Sequence, residues 1–167
     1  MTLVRQINLR FAVTLIIFAG VVFLTYREDI LGAFLGRLTT LTASTTFVLL
    51  ELLSIDVVQE ATVIYQPGGF AYEIYYRCTG FLPVACLAVS ILAYPGYLRH
   101  KLAGLAVAIP LLILLNLVRL VHLFLIGVAK PELFGLAHRV LWEGTMILAV
   151  LGLWLAWKKW VQARIDH

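Results

Sequence analysis

The sequence predicts an all-α polytopic membrane protein with about four transmembrane helices, one membrane-associated helix and a short extracytoplasmic β-hairpin. Composition is the first observation: 62% of the 167 residues are hydrophobic and 13% are charged, whereas soluble domains have about 45–50% and about 25%. The second is a series of long apolar runs with basic residues at their ends. A chain of this length has no room for a separate soluble domain, so residues 1–167 are expected to form one membrane-embedded domain.

Three apolar runs in the second half are each long enough to cross about 30 Å of hydrocarbon. They are Thr79–Leu98, Leu102–Val128 and Val140–Trp160. A fourth run, Phe11–Tyr26, resembles the apolar region of a signal peptide, but no small-residue cleavage motif follows it. We therefore predict an uncleaved membrane anchor.

Residues 56–76 have a different character from the apolar runs. The stretches "VVQEATVIY" and "FAYEIYY" are rich in β-branched and aromatic residues and flank "QPGG". Two such stretches around a Pro-Gly-Gly turn predict a β-hairpin. The backbone N–H and C=O groups at its open edges would have no hydrogen-bond partners in lipid. The hairpin is therefore expected outside the hydrocarbon core or covered by protein.

The topology follows from the basic residues, which concentrate on the cytoplasmic side of membrane proteins. Ile30–Leu53 is apolar but contains Arg37, Glu51 and a Thr/Ser-rich patch. If this segment lies along or dips into the outer face, every basic cluster becomes cytoplasmic. The clusters are those at Arg5 and Arg10, Arg99–Lys101, and Lys158, Lys159 and Arg164. We therefore predict a multi-pass protein of the cytoplasmic membrane with both termini inside and the hairpin outside.

This topology brings three reactive side chains to one level of the membrane. Cys78 lies at the outer end of its span, directly after the hairpin. Arg119 lies 17 residues beyond Leu102, about 25 Å along a helix that rises outward. His138 precedes the last span in the outer loop.

Together the three side chains fit acyl transfer. A cation favours the thiolate of Cys78, Arg119 can stabilise that thiolate or an oxyanion, and His138 can carry the proton. Gly80 would let a substrate backbone approach closely. Each residue also has a structural alternative: an apolar filler for the cysteine, as we expect for Cys86, a snorkelling arginine, and a solvated histidine.

Other polar residues are weaker candidates. Asn116 precedes Arg119 by about one helical turn and could orient it or bind a neighbouring helix, His122 is a second candidate base, and Glu143 suits a helix N-terminus. No His, Cys or carboxylate spacing suggests a metal site and no glycine-rich phosphate loop is present, so no cofactor is predicted. The net charge of +4 arises at the ends of apolar runs and does not indicate nucleic-acid binding.

Three motifs resemble the exosortase/archaeosortase family in order and spacing. They are "CTG" at 78–80, "NLVR" at 116–119 and "HRVLWEG" at 138–144. The likeness extends from about Tyr72 to the C-terminus, with a catalytic core at about 72–160. The short chain is similar to the compact members, such as the exosortase H type.

The resemblance implies a membrane cysteine transpeptidase or peptidase. Cys78 would be the nucleophile, Arg119 the thiolate or oxyanion stabiliser, and His138 the proton carrier. The implied partners are membrane-anchored proteins with a C-terminal sorting signal of motif, transmembrane helix and basic tail, and an unknown acceptor amine, lipid-linked or glycan-linked. The alternative is a non-enzymatic membrane scaffold or small transporter subunit, in which Arg119 would pair with Glu143 or a lipid phosphate.

Overall fold

The protein is predominantly helical, as its composition predicts. The computed structural model describes residues 28–165, together with residues 16, 19 and 20. Phe11–Tyr26, the predicted first span, otherwise lies outside the described residues. The α-helices are α1 (Glu28–Leu52), α2 (Phe81–Ala93), α3 (Leu98–Ala129), α4 (Pro131–Leu136) and α5 (Glu143–Ile165). A 3-10 turn at Tyr76–Cys78 precedes α2, and a π-helical segment at Ala137–Trp142 joins α4 to α5.

A small antiparallel sheet lies between α1 and α2. Its strands are β1 (Val58–Glu60), β2 (Val63–Tyr65) and β3 (Ala71–Glu73), in spatial order β1-β2-β3. Strands β2 and β3 form the predicted hairpin around the Pro-Gly-Gly turn. The first stretch was predicted as one strand but contains two, because the chain reverses near Ala61, which adopts a positive φ of 54°. The sheet therefore has three strands rather than two.

The segment after Cys78 is shorter than predicted. We expected a span over Thr79–Leu98, but α2 has 13 residues and is about 20 Å long, less than the hydrocarbon thickness. Gly80 precedes the helix in a left-handed conformation. Tyr94 leaves it in an extended conformation, as expected for a residue before proline. Pro95 therefore ends the helix early.

Residues 30–53 form most of one continuous helix, α1. The Thr/Ser-rich patch does not interrupt it, because several threonine hydroxyls, including those of Thr39, Thr42 and Thr46, donate to carbonyls four residues earlier. By length and composition alone, Leu31–Leu52 is a candidate span. Within the described residues two other helical stretches qualify, Leu98–Ala129 and Pro131–Arg164. The position of α1 along the outer face stays a prediction.

The bundle has two different ends. At one end, Trp157 Nε1 donates to the carbonyl of His100 at 2.9 Å, which brings the start of α3 to the last turns of α5. Arg99 and Arg164 line the same cavity there, so the loop and tail basic residues share one end, as predicted. The sheet packs at the other end of α3, where Gly127 lacks the Cβ that would overlap the ring of Phe70.

Candidate active site

The 3-10 turn fixes the backbone around Cys78. The Cys78 amide donates to the carbonyl of Tyr75 at 2.8 Å, and the Thr79 hydroxyl donates to the carbonyl of Tyr76 at 2.6 Å. The Cys78 carbonyl accepts a hydrogen bond of 2.9 Å from Asn116 Nδ2 on α3. The nucleophile candidate is therefore held by its own turn and by the central helix.

Gly80 allows this contact with α3. Its φ of 77° is left-handed, and a Cβ at this position would come within 3.0 Å of Asn116 Cγ. From the sequence, Gly80 and Asn116 were candidates for substrate binding, with Asn116 alternatively orienting Arg119 or binding a neighbouring helix. In the structure, the side chain of Asn116 fills the space beside Gly80 and binds the backbone of Cys78, so both residues position the cysteine turn.

Cys78, Arg119 and His138 meet at one nitrogen atom. Cys78 Sγ lies 4.0 Å from His138 Nε2, and an Arg119 terminal nitrogen lies 3.4 Å from the same Nε2. A guanidinium has donors and no acceptor, so Nε2 accepts in this contact and presents a lone pair toward both neighbours. The three residues come from the turn before α2, from α3 and from the π-helical segment, and the geometry brings them together as the sequence predicted.

Arg119 is a buried cation. Its side chain is 6% exposed and its Nε has no hydrogen-bond partner. Among the residues that the structure describes, no carboxylate lies within ion-pair distance of its guanidinium, and Glu143 is exposed. An unneutralised cation in a low-dielectric environment is costly. A negative charge that forms beside it, on sulfur or on oxygen, is correspondingly favoured.

The π-helical segment sets the direction of His138. Segments of this kind are rare and often occur at functional sites. The His138 ring stacks on Phe134 with a centroid separation of 6.0 Å. One turn later, Trp142 Nε1 donates to His122 Nδ1 at 3.0 Å. His122, the second candidate base, is thus engaged in holding the π-helical segment, a contact that no sequence pattern indicated.

A cleft of about 790 Å³ opens beside the three residues. Its lining includes residues from the chain between β3 and Cys78, together with Leu120, Phe134 and His138. Burial raises the pKa of Tyr72 far above its ordinary value, so this tyrosine is a neutral phenol whose hydroxyl donates to the Leu120 carbonyl at 3.4 Å. Tyr72 and Phe134 could not be recognised as cleft residues from the sequence, because aromatic residues near a hairpin have no distinctive spacing.

Cys86 does not contribute to this cleft. It lies on α2, two turns beyond the 3-10 turn, and it is not part of the lining. Within the described part of the chain, no group of three or more His, Cys, Asp or Glu residues could hold a metal ion. The cleft lining offers the thiol of Cys78, the imidazole of His138, the carboxylate of Glu73, the guanidinium of Arg77 and tyrosine phenols.

Comparison with known proteins identifies the family. The family described as Transmembrane exosortase (Exosortase_EpsH) matches residues 5–157, which is most of the chain. No curated protein and no solved structure matches the chain significantly. The chain belongs to the transmembrane exosortase family, in agreement with the three motifs.

Proposed function

We propose that this exosortase-family protein is a membrane cysteine transpeptidase that cleaves C-terminal sorting signals through a Cys78 thioester. The observation that carries the proposal is the shared approach of Cys78 Sγ and Arg119 to His138 Nε2, at 4.0 Å and 3.4 Å. These residues are 41 and 19 positions apart along the chain. Their meeting beside a cleft supplies a nucleophile, a base and an electrostatic stabiliser together.

The first half-reaction forms the thioester. His138 Nε2 accepts the thiol proton, and the thiolate attacks the carbonyl carbon of the scissile peptide bond. The resulting oxyanion is stabilised by the guanidinium of Arg119, which has no carboxylate partner among the described residues. When the intermediate collapses, the carbon–nitrogen bond breaks and His138 returns the proton to the departing amine.

The second half-reaction releases the product. An acceptor amine, lipid-linked or glycan-linked, attacks the thioester carbonyl while His138 takes the proton of the amine. The carbon–sulfur bond then breaks, and His138 returns the proton to the departing sulfur, which restores the thiol of Cys78. Water in place of the amine would give hydrolysis. In either case the same three side chains act, because both half-reactions pass through a tetrahedral oxyanion.

The substrates proposed are proteins anchored by a C-terminal helix that follows a short motif and precedes a basic tail. With the basic end of the bundle in the cytoplasm, the cleft would face the extracytoplasmic side of the cytoplasmic membrane. The basic tail of such a substrate would then also lie on the cytoplasmic side. A substrate helix running beside the bundle would bring its preceding motif to the level of the cleft.

The rival function is that of a scaffold or small transporter subunit. In that case Arg119 would be expected to pair with Glu143 or with a lipid phosphate. The contact of Arg119 with His138, and the exposure of Glu143, favour the enzyme. A scaffold also has no need for a thiol at 4.0 Å from an imidazole nitrogen.

Replacement of the nucleophile tests the proposal. The assay is cleavage of tagged fusion proteins that end in motif, apolar helix and basic tail, taken from the source genome. Cys78→Ala should abolish cleavage and Cys78→Ser should be nearly as inactive, since a hydroxyl is a far poorer source of an anion than a thiol. Cys86→Ala is the matched control and should cleave normally. Cleavage by Cys78→Ala at the wild-type rate would refute the thioester mechanism.

A further inference from the structure

Strand β3 has an open edge that borders the candidate active site. Its pairing with β2 places Tyr72 opposite Ile64, with Ala71 opposite Tyr65 and Glu73 opposite Val63. The flanking hydrogen bonds join Gln66 to Phe70 and Thr62 to Ile74. Because antiparallel pairs alternate between hydrogen-bonded and non-hydrogen-bonded residues, Tyr72 bonds β2, whereas Ala71 and Glu73 direct their amides and carbonyls away from it.

These outward backbone groups have no partner among the residues that the structure describes. Within residues 28–165, no hydrogen bond reaches the N–H or C=O of Ala71 or Glu73. The carbonyl of Tyr75, the next outward residue, accepts from the amide of Cys78. The open edge therefore consists of four backbone groups and stops at the turn that holds the cysteine.

The edge also forms a wall of the cleft. The lining includes consecutive residues from Phe70 to Glu73 and from Tyr75 to Cys78. Neighbouring residues of a strand point to opposite faces. A cavity lined by consecutive residues therefore meets the edge of the strand rather than one face. Phe134 and His138 line the same cleft.

We infer that the outer edge of β3 is the substrate-binding subsite, which takes an extended peptide segment as a fourth strand of the sheet. The inference rests on the proposed function and names how that substrate is held. Strand addition gives affinity through main-chain hydrogen bonds and leaves specificity to the side-chain pockets. Ala71 and Glu73 together offer two donors and two acceptors to such a segment.

The register of the edge suits delivery of a peptide bond to the thiol. Only four residues separate Glu73 from Cys78, and an extended peptide advances about 3.3 Å per residue. A segment paired with β3 would therefore reach the sulfur within a few residues of its paired positions. Side chains of the segment that turn inward would meet Phe70 and Phe134, whose ring centroids are 5.3 Å apart, which favours an apolar residue at that position.

Proline substitution tests the edge without altering the reacting groups. Proline removes one outward N–H and is tolerated at outward positions of edge strands. Ala71→Pro and Glu73→Pro should each raise the KM for the tagged fusion about fivefold to tenfold, which is the effect of one lost hydrogen bond. Gln59→Pro is the control on the opposite edge of the sheet, where Gln59 faces outward on β1. Because Gln59 Nε2 donates to the Ser44 hydroxyl and the Ala61 carbonyl, Gln59→Ala is measured beside it to account for the loss of these side-chain bonds. The KM of both control variants should be unchanged.

Two further measurements separate a misfolded variant from a weakened subsite. Alkylation of Cys78 by iodoacetamide should proceed at the wild-type rate in all three proline variants. In a Cys78→Ala background, a photo-crosslinking p-benzoylphenylalanine in place of Glu73 should form an adduct with the fusion within a few residues of its motif. The same amino acid in place of Gln59 should not.

The outcomes distinguish this inference from the proposed function. Two results would refute the strand-addition subsite while the transpeptidase stands, provided that the wild type cleaves the fusion. One is that the three proline variants have the same KM as one another. The other is that the crosslink at position 73 does not form. The subsite would also be refuted if position 73 crosslinked to the protein's own chain to the same extent with and without the fusion. A wild-type protein that cleaves no fusion would overturn both.

Discussion

Replacement of His138 by asparagine separates proton transfer from hydrogen bonding. Asparagine keeps a hydrogen-bonding amide, but it does not titrate. His138 Nε2 is the imidazole nitrogen that contacts Cys78 Sγ, at 4.0 Å. His138→Asn should therefore lose the whole contribution of general acid–base catalysis to acylation.

The expected loss is large and depends on pH. General acid–base catalysis contributes about 10²–10⁴-fold, or about 3–5 kcal/mol in the activation free energy. Without the base, the thiolate must form unaided, and the thiolate rather than the thiol is the nucleophile. Residual activity of the variant should therefore rise as the pH is raised between about pH 7 and pH 9.

The assay is single-turnover cleavage of the tagged fusion in detergent across this pH range. His122→Asn is the control, because asparagine can replace His122 Nδ1 as the acceptor for Trp142, and it should lose less than tenfold. A His138→Asn protein with the wild-type rate and pH profile would remove His138 from the mechanism. A comparable defect in His122→Asn alone would move the role of base to His122.

Three further predictions concern the cation, the sheet and the topology. Arg119→Lys should lose about 10²-fold or more in cleavage at normal membrane abundance, because lysine keeps the charge but loses the planar set of donors; full activity would show that only diffuse charge matters. Gly127→Ala should lower the free energy of unfolding by about 1–3 kcal/mol, because the added methyl group would overlap the ring of Phe70. Gly144→Ala, with open space around it, should not, and equal unfolding temperatures of the two variants would contradict this packing. In a cysteine-free background, a single cysteine introduced at Pro67 should react with an impermeant maleimide added outside intact cells, whereas one introduced at Gln162 should stay protected. The reverse pattern would invert the proposed orientation.

The proximity of Cys78, Arg119 and His138 could be predicted from sequence because the membrane limits where these residues can lie. A helix of known rise between basic ends fixes the level of Arg119, and the same constraint fixes Cys78 and His138 at the other ends of their segments. An error in the predicted length of a helix does not affect this constraint. Helix α2 is much shorter than the predicted span, yet Cys78 still lies beside Arg119 and His138. What mattered was the end of the segment, not its length.

The contacts that position these residues could not be predicted in the same way. The π-helical segment at Ala137–Trp142 depends on an extra residue per turn, and nothing in the composition of "AHRVLW" distinguishes it from an α-helix. The second strand in "VVQEATVIY" depends on Ala61 with a positive φ, which is uncommon for alanine. Tertiary packing decides both features.

The position of Asn116 connects the cleft to the rest of the fold. On one helix, α3 supplies Asn116 to the carbonyl of Cys78 and Arg119 to the imidazole of His138, at 2.9 Å and 3.4 Å. The two residues are three apart and so lie on one face of the helix. Any shift of α3 would therefore move both the restraint on the Cys78 backbone and the Arg119 guanidinium. In the proposed mechanism, this shared helix would help to preorganise the cation for oxyanion stabilisation.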